Sequence, residues 1–235
     1  MPFRQDFLVK GLLRHVKVLC LMTHSFPSER NEVWITDVAA VTALGDHLEE
    51  TWLQLLHSET AIRPVDRFNV EGYASGVAAC IPDLTPVGPG SMLPVLLARL
   101  KRGLVPVPPD AWLFTATTKA GIDVLERYKR GKACHGGDVF PASFPRLVSE
   151  TFGLKKPGIN ISAACASSIL AVSQACAWIQ SGAAEVALVC SADLVTEFVF
   201  SGFSALGALS QTPCRPFDRD RSGLSLGGGA VALLL

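Results

Sequence analysis

The stretch INISAACASSILAVSQACAWIQSG, residues 159–182, decides how this chain is read. Ile159–Ala163 opens it as a short apolar strand, and a helix follows that runs to about Gly182. Cys165 falls where the strand ends and the helix begins, among alanines and serines. A side chain at such an elbow is presented at a helix N-terminus, and small neighbours let the backbone approach a ligand. The unpaired N–H groups of the first helical turn stabilise negative charge developing there. The helix dipole favours a thiol in that place as its anion. Residue type and position therefore suit covalent acyl transfer: Cys165 attacks a thioester carbonyl, and its own N–H forms part of an oxyanion hole. The alternative is packing, since free cysteine is among the most buried residue types. Cys176 and Cys190, inside apolar runs, read as core. Cys176 stands about 16 Å from Cys165 along a helix axis, too far for a disulfide, which needs Cα atoms within about 7 Å.

Working outward, Val33–Val41 reads as a buried strand, and Gly45 and Asp46 lead into a helix in which Leu48, Trp52, Leu55 and Leu56 recur at helical spacing. Residues 62–83 look irregular, with GYASGVAACI as a short strand. A Pro/Gly-rich loop follows, then a short helix over Leu96–Arg102. Trp112–Ala116 is a strand, TTK a turn, and a helix comes after it. The segment 129–158 reads as loop, short helix and turn. Glu185–Ser191 is an almost wholly apolar strand, SGFSALGALSQTPCRPFDRDRSG mostly loop with a short helical piece, and LSLGGGAVALLL a last strand in which the sequence ends. Strands apolar on both faces and separated by helices indicate an α/β fold with a mixed, mostly parallel sheet covered by helices.

At 235 residues, with 49% apolar and 18% charged, the composition is that of a globular chain. Basic and acidic residues balance at 21 each, which points away from nucleic acid and from anionic membranes. The seven cysteines are irregularly spaced and offer no zinc pattern, so a reducing, cytoplasmic setting without metal is expected. Phe7–Met22, the longest apolar run near the start, is interrupted by Lys10, Arg14, His15 and Lys17. It reads neither as a membrane span nor as a signal peptide. Residues 1–32 are expected to be an extension that need not belong to the native fold, with Met22 as an alternative start. Residues 33–235 are expected to form one domain.

SAACASS, the small-residue helix after it and GAAEVALVCSAD together resemble the nucleophile region of the elongating β-ketoacyl synthases. GFSALGALSQTPCRPFDRDRSGLSLGGGAVALLL is similar to the segment that follows in that family, VWITDVAAVTALGDHLEETWLQLL to its first strand and helix, and TATTKAG to a strand end between them. The resemblance spans roughly Val33 to Leu235, and is loose from Phe68 to Pro109, where the chain is shortened. It implies a thiolase-like fold, present here as one of two similar halves, with five strands in its sheet. It also implies a reaction: an acyl chain passes from an acyl carrier protein to Cys165, and the carbanion from decarboxylation of a malonyl-carrier thioester then extends it. By the same resemblance Ala164 and Phe203 lie near the acyl pocket, although an aromatic in a Gly/Ser/Ala loop equally plugs a core. No cofactor is implied. The cysteine separates the chain from chain-length-factor relatives, which lack it.

The two histidines, the lysine and the second oxyanion loop of these enzymes come from the other half. Here no histidine follows Cys165, and His135, in CHGGD, reads as a plain loop residue. Lys119 matches no catalytic position. Asp218, Arg219 and Arg221 are expected to form a buried or partly buried polar clasp. Gly228 stands where many relatives carry an acid, and Gly207 where some have a larger side chain. Without the second half, Ile169, Val172, Cys176 and Ile179 are expected to face water, leaving the chain marginal unless a partner covers them. The expected function is thus a 3-oxoacyl-[acyl carrier protein] synthase incomplete in this chain. The alternative is a non-catalytic paralogue that homodimerises or heterodimerises with an intact synthase. A cysteine hydrolase of another kind lacks a matching base and acid.

Overall fold

The computed structural model describes residues 32–133 and 136–235, and the backbone of a two-residue strand, β1 (Val16–Lys17). Apart from that strand, residues 1–31, and with them the Phe7–Met22 run and the Met22 start, lie outside the described residues, as do Cys134 and His135. The expected strand over Val33–Val41 is two strands. β2 (Trp34–Ile35) pairs antiparallel with β1, and β3 (Asp37–Thr42) joins the main sheet. The break falls at Thr36, whose backbone N–H and hydroxyl both donate to the carbonyl of Leu234, at 2.8 and 3.0 Å.

After β3 come α1 (Leu48–Leu56), a small hairpin of β4 (Arg63–Pro64) and β5 (Val77–Ala78), α2 (Leu93–Arg102) and β6 (Trp112–Ala116). They are followed by α3 (Ile122–Lys129), α4 (Phe144–Phe152), β7 (Gly158–Ile161) and α5 (Ser167–Gln180). β8 (Ala187–Asp193), α6 (Glu197–Ala205) and β9 (Gly229–Leu234) complete the chain. The main sheet has five strands in the order β3-β9-β8-β6-β7. β6 is parallel to β7 and β8, whereas β9 is antiparallel to both β8 and β3. Four strands therefore run one way and β9 alone runs against them, the mixed, mostly parallel sheet expected.

The central strands β6 and β8 are buried on both faces, and side-chain alternation sorts the two sides. Val41, Leu113, Leu188, Cys190 and Ala232 face the layer of α2 and α4. Phe114, Ala116, Ala187 and Val189 face α5, which lays Ala171, Ala175, Cys176 and Ile179 on them. The expectation that Val172, Cys176 and Ile179 face outward is corrected here. Cys176 is fully buried, Ile179 nearly so, and Val172 packs against the same cluster. A helix crossing a dry sheet turns its broadest apolar stripe to that sheet. The large apolar side chains that α5 leaves exposed, Ile169 and Leu170, are in its first turn. A third cluster gathers Phe68, Ala78, Val195 and Leu209 round Phe200.

Local chemistry and distant contacts share the helix ends. α4 stops at Gly153, which takes the left-handed conformation at φ +76. At the start of β7, a Cβ on Gly158 would lie 2.6 Å from Leu113 Cδ2 and 2.8 Å from Pro145 Cβ, so only glycine lets α4 sit this close to the sheet. α2 begins one turn before the expected Leu96, because its N-terminus is capped from another helix. Asp123 of α3, 2% exposed, accepts from Met92 N–H at 2.9 Å and from Ser91 Oγ at 2.7 Å, and Ser91 Oγ accepts from Leu93 N–H. α1 forms as expected, yet none of its residues is buried. Trp52, Leu55 and Leu56 are 45%, 53% and 55% exposed.

Burial pushes the Asp123 carboxyl above its ordinary 3.8, against the opposing pull of its hydrogen bonds to Ser91 and Met92 and of Arg127. Between the ordinary and the raised value the folded chain keeps a proton that the unfolded chain has released. Stability therefore falls as pH climbs through that interval. Asp123→Asn should flatten that fall in urea midpoints followed against pH. Asp123→Ala leaves two buried donors unpaired and should cost about 1–3 kcal/mol for each, read as a lower midpoint with unchanged m-value. Gly158→Val should be at least as damaging in the same assay.

Candidate functional site

β7 ends at Ile161, and the chain reverses into α5 within five residues. Ala163 has φ −140 and ψ 46, and Ala164 takes φ +49. A single 3-10 turn, Ala164–Ala166, then feeds the α-helix. A left-handed conformation costs a non-glycine residue about 1–2 kcal/mol, and alanine keeps the clash small. The elbow is held by Ser167, the first residue of α5 and only 5% exposed. Its Oγ accepts from Ala163 N–H at 2.8 Å and donates to the Ala164 carbonyl at 2.7 Å. Ser167 N–H donates to that carbonyl as well, and Ala166 N–H to the carbonyl of Ala163.

Cys165 sits in the middle of this turn and is exposed. The other cysteines differ. Cys176 and Cys190 are buried in the core as expected, and burial pushes the Cys190 thiol up to about 12. Cys80 and Cys214 are half-buried, and burial also raises the Cys80 thiol against the opposing charge of Arg67. Among the described residues, then, the exposed cysteine is the one at the elbow.

The elbow stands at the rim formed by the C-terminal ends of the parallel strands β6, β7 and β8, the usual place for a ligand crevice in such sheets. A polar chain lies along this rim. Thr115 Oγ1 donates to Asn160 Oδ1 at 2.9 Å, and Asn160 Nδ2 donates to the Thr117 carbonyl at 3.3 Å. Thr117 Oγ1 donates to Asp193 Oδ1 at 2.9 Å and accepts from Ala120 N–H at 3.0 Å. The TTK turn is thereby fastened to β8, and burial pushes the Asp193 carboxyl above its ordinary value against the opposing pull of its Thr117 hydrogen bond and the Lys119 charge. Asn160 was hidden in an apolar strand, and Ser167 in a run of small residues. A polar residue inside a strand, and a serine two after the cysteine, were the available signals.

The other expected site residues are placed as follows. Ala164 adjoins Cys165 and is exposed. Phe203, on α6, is partly buried against the cluster of Phe68 and Phe200. Of the expected buried or partly buried clasp, Asp218 is half-buried, whereas Arg219 and Arg221 lie at the surface. Arg215 pairs with Asp218 at 3.9 Å, Arg221 donates to the Asp218 carbonyl, and Arg219 and Arg221 are exposed. Phe217 beside them is fully exposed. His47 and His57 flank α1 as its capping residues. Among the described residues no three His, Cys, Asp or Glu side chains gather as a metal site. No described helix is long and apolar enough to cross a membrane. A cleft of about 740 Å³ opens between Gln54 of α1 and the segment of Arg63, Arg67 and Cys80, and none of the elbow residues lines it.

Comparison with known proteins adds kinship. Residues 110–235 match the model of the β-ketoacyl synthase N-terminal domain. The chain is 28% identical over 229 residues to Nodulation protein E of Rhizobium sp. (strain N33), covering 86% of this chain and 57% of that protein. It is 24% identical over 244 residues to 3-oxoacyl-[acyl-carrier-protein] synthase 2 of Coxiella burnetii (strain RSA 493 / Nine Mile phase I), covering 88% and 58%. The ishigamide ketosynthase/chain length factor structure superposes with a TM-score of 0.75 at 22% identity, over 88% of this chain and 58% of that one. The chain thus spans a little over half the length of these relatives. With the elbow at the rim of a thiolase-like half and more than half of its residues matching the domain model, the chain belongs to the β-ketoacyl synthase family.

Proposed function

We propose that residues 33–235 form the nucleophile-bearing half of a 3-oxoacyl-[acyl carrier protein] synthase, in which Cys165 accepts the acyl chain. The observation that carries this reading is the exposed Cys165 within a tightly held strand-to-helix elbow. The Cys165 thiolate attacks the carbonyl carbon of an acyl-carrier thioester. Its N–H, at the positive end of α5, stabilises the tetrahedral oxyanion, the bond to the carrier sulfur breaks, and the carrier leaves as a thiolate that takes up from solvent the proton Cys165 released on ionising. Ala164 and Phe203 border the acyl chain. Decarboxylation of the malonyl-carrier partner and attack of the resulting carbanion on the acyl-enzyme need histidines that no part of this chain matches, so condensation requires a second half. Fatty-acid or polyketide-type synthesis in the cytoplasm is the setting this chemistry fits.

A second reading has its own support. The first-turn residues Ile169 and Leu170 of α5 are exposed, and so is Ile159 on β7, the strand at one end of the sheet. These residues suit a protein neighbour. One structural relative, from ishigamide synthesis, is named as a ketosynthase together with a chain length factor. In this reading the chain is a non-catalytic partner of an intact synthase, or of a second copy of itself.

The two readings separate by intact-protein mass spectrometry after incubation with hexanoyl-acyl carrier protein. The first predicts one hexanoyl increment, lost in Cys165→Ala and with no accompanying decarboxylation of malonyl-carrier thioester by this chain alone. A folded chain that stays unmodified, yet co-elutes with an intact synthase, supports the second. A limiting dose of iodoacetamide at pH 8 should label Cys165 ahead of Cys190, as peptide mapping will show, because the buried thiol stays protonated there.

A further inference from the structure

Resting on the acyl-transfer reading of Cys165, we propose that Ser167 is a positioning residue that aims the Cys165 N–H at the developing oxyanion. The Ala164 carbonyl and the Cys165 N–H belong to one peptide unit. That unit is planar and trans, so its C=O and N–H point in opposite directions. Ser167 holds the carbonyl side with two donors, its Oγ–H at 2.7 Å and its own N–H. Fixing the carbonyl inward fixes the N–H outward, toward the exposed side on which the Cys165 thiol stands.

The same hydroxyl also accepts from Ala163 N–H at 2.8 Å. It therefore bridges the Ser162–Ala163 and Ala164–Cys165 peptide groups, and so spans both Ala163 and Ala164, the latter held at φ +49. Relaxation of Ala164 to an ordinary φ would rotate the adjoining peptide and turn the Cys165 N–H away. Burial of Ser167 excludes water as a competing partner, so the latch is not readily exchanged. A donor on the Ala164 oxygen also polarises the amide, strengthening the N–H as a donor at its other end. If the hydroxyl is lost, the Ser167 N–H still holds the Ala164 carbonyl, but the bond to the Ala163 N–H goes and with it the bridge between the two peptide groups.

The test compares two reactions of one sulfur. Acylation by hexanoyl-N-acetylcysteamine passes through an oxyanion, whereas alkylation by iodoacetamide does not. Losing one well-placed oxyanion donor typically costs about 100- to 1,000-fold, and a misdirected donor should cost less. Ser167→Ala is therefore expected to slow acylation by about 10- to 100-fold and to leave alkylation within about threefold. Ser167→Thr, which restores a hydroxyl, should recover most of the acylation rate. Equal acylation in Ser167→Ala and the parent chain overturns the proposal, and so does a parallel fall of both reactions. If Ser167→Ala does not fold, Ser167→Gly, which opens room for water at the Ala163 N–H, carries the same comparison. A parent chain that is alkylated at Cys165 but never acylated defeats the acyl-transfer reading itself, an outcome distinct from failure of the latch.

Discussion

Everything in this structure depends on a central strand that is dry on both faces. In β6, Leu113 and Phe114 are consecutive and both wholly buried, one against α2 and α4 and the other against α5. Such a strand cannot lie at a surface, and its two neighbours, β7 and β8, run parallel to it. Parallel neighbours need long crossovers. The connection from β6 to β7 passes through α3 and α4, and that from β7 to β8 passes through α5, on the opposite face. Both crossovers leave from the same rim, so the TTK turn, the elbow and the end of β8 converge there. The site is a consequence of the sheet's topology before it is a consequence of any single side chain.

At the elbow, small residues are a requirement of geometry. The reversal from β7 to α5 is compressed into one 3-10 turn, with Ala164 held in left-handed backbone. A bulky or β-branched residue there would meet its own carbonyl, and glycine would leave the turn slack. Alanine with a buried serine latch gives a turn that is both sharp and held. Exposure then separates Cys165 from Cys176 and Cys190. All three are cysteines in apolar surroundings by sequence, but the core positions bury their thiols against the sheet.

The surface around this sheet is uneven. α2 and α4 pack on one face of the sheet and α5 on the other, and the loop beyond α6 leaves Phe217 bare while Asp218 is half-buried. In α5 the apolar stripe serves the chain's own sheet. Its large apolar side chains that stay exposed are Ile169 and Leu170.

By itself the sequence determined the order and type of the main elements. Trp112–Ala116 is a strand with the limits its residues imply, and a strand, an elbow at Cys165 and a helix follow from apolar runs and small residues, which are local signals. Membership of the family was legible too, since several short motifs occur in order. Only the tertiary structure decided where α2 starts, because its cap is Asp123, far along the chain. It also broke the first strand at Thr36, through the Leu234 carbonyl, and turned the apolar face of α5 inward. Ser167 became visible as the elbow's latch only when Ala163, Ala164 and the helix start were brought within hydrogen-bond reach. Periodicity shows that a helix has a stripe, but which surface that stripe meets is set by neighbours distant in sequence. The sheet that brings them together exists only in the fold.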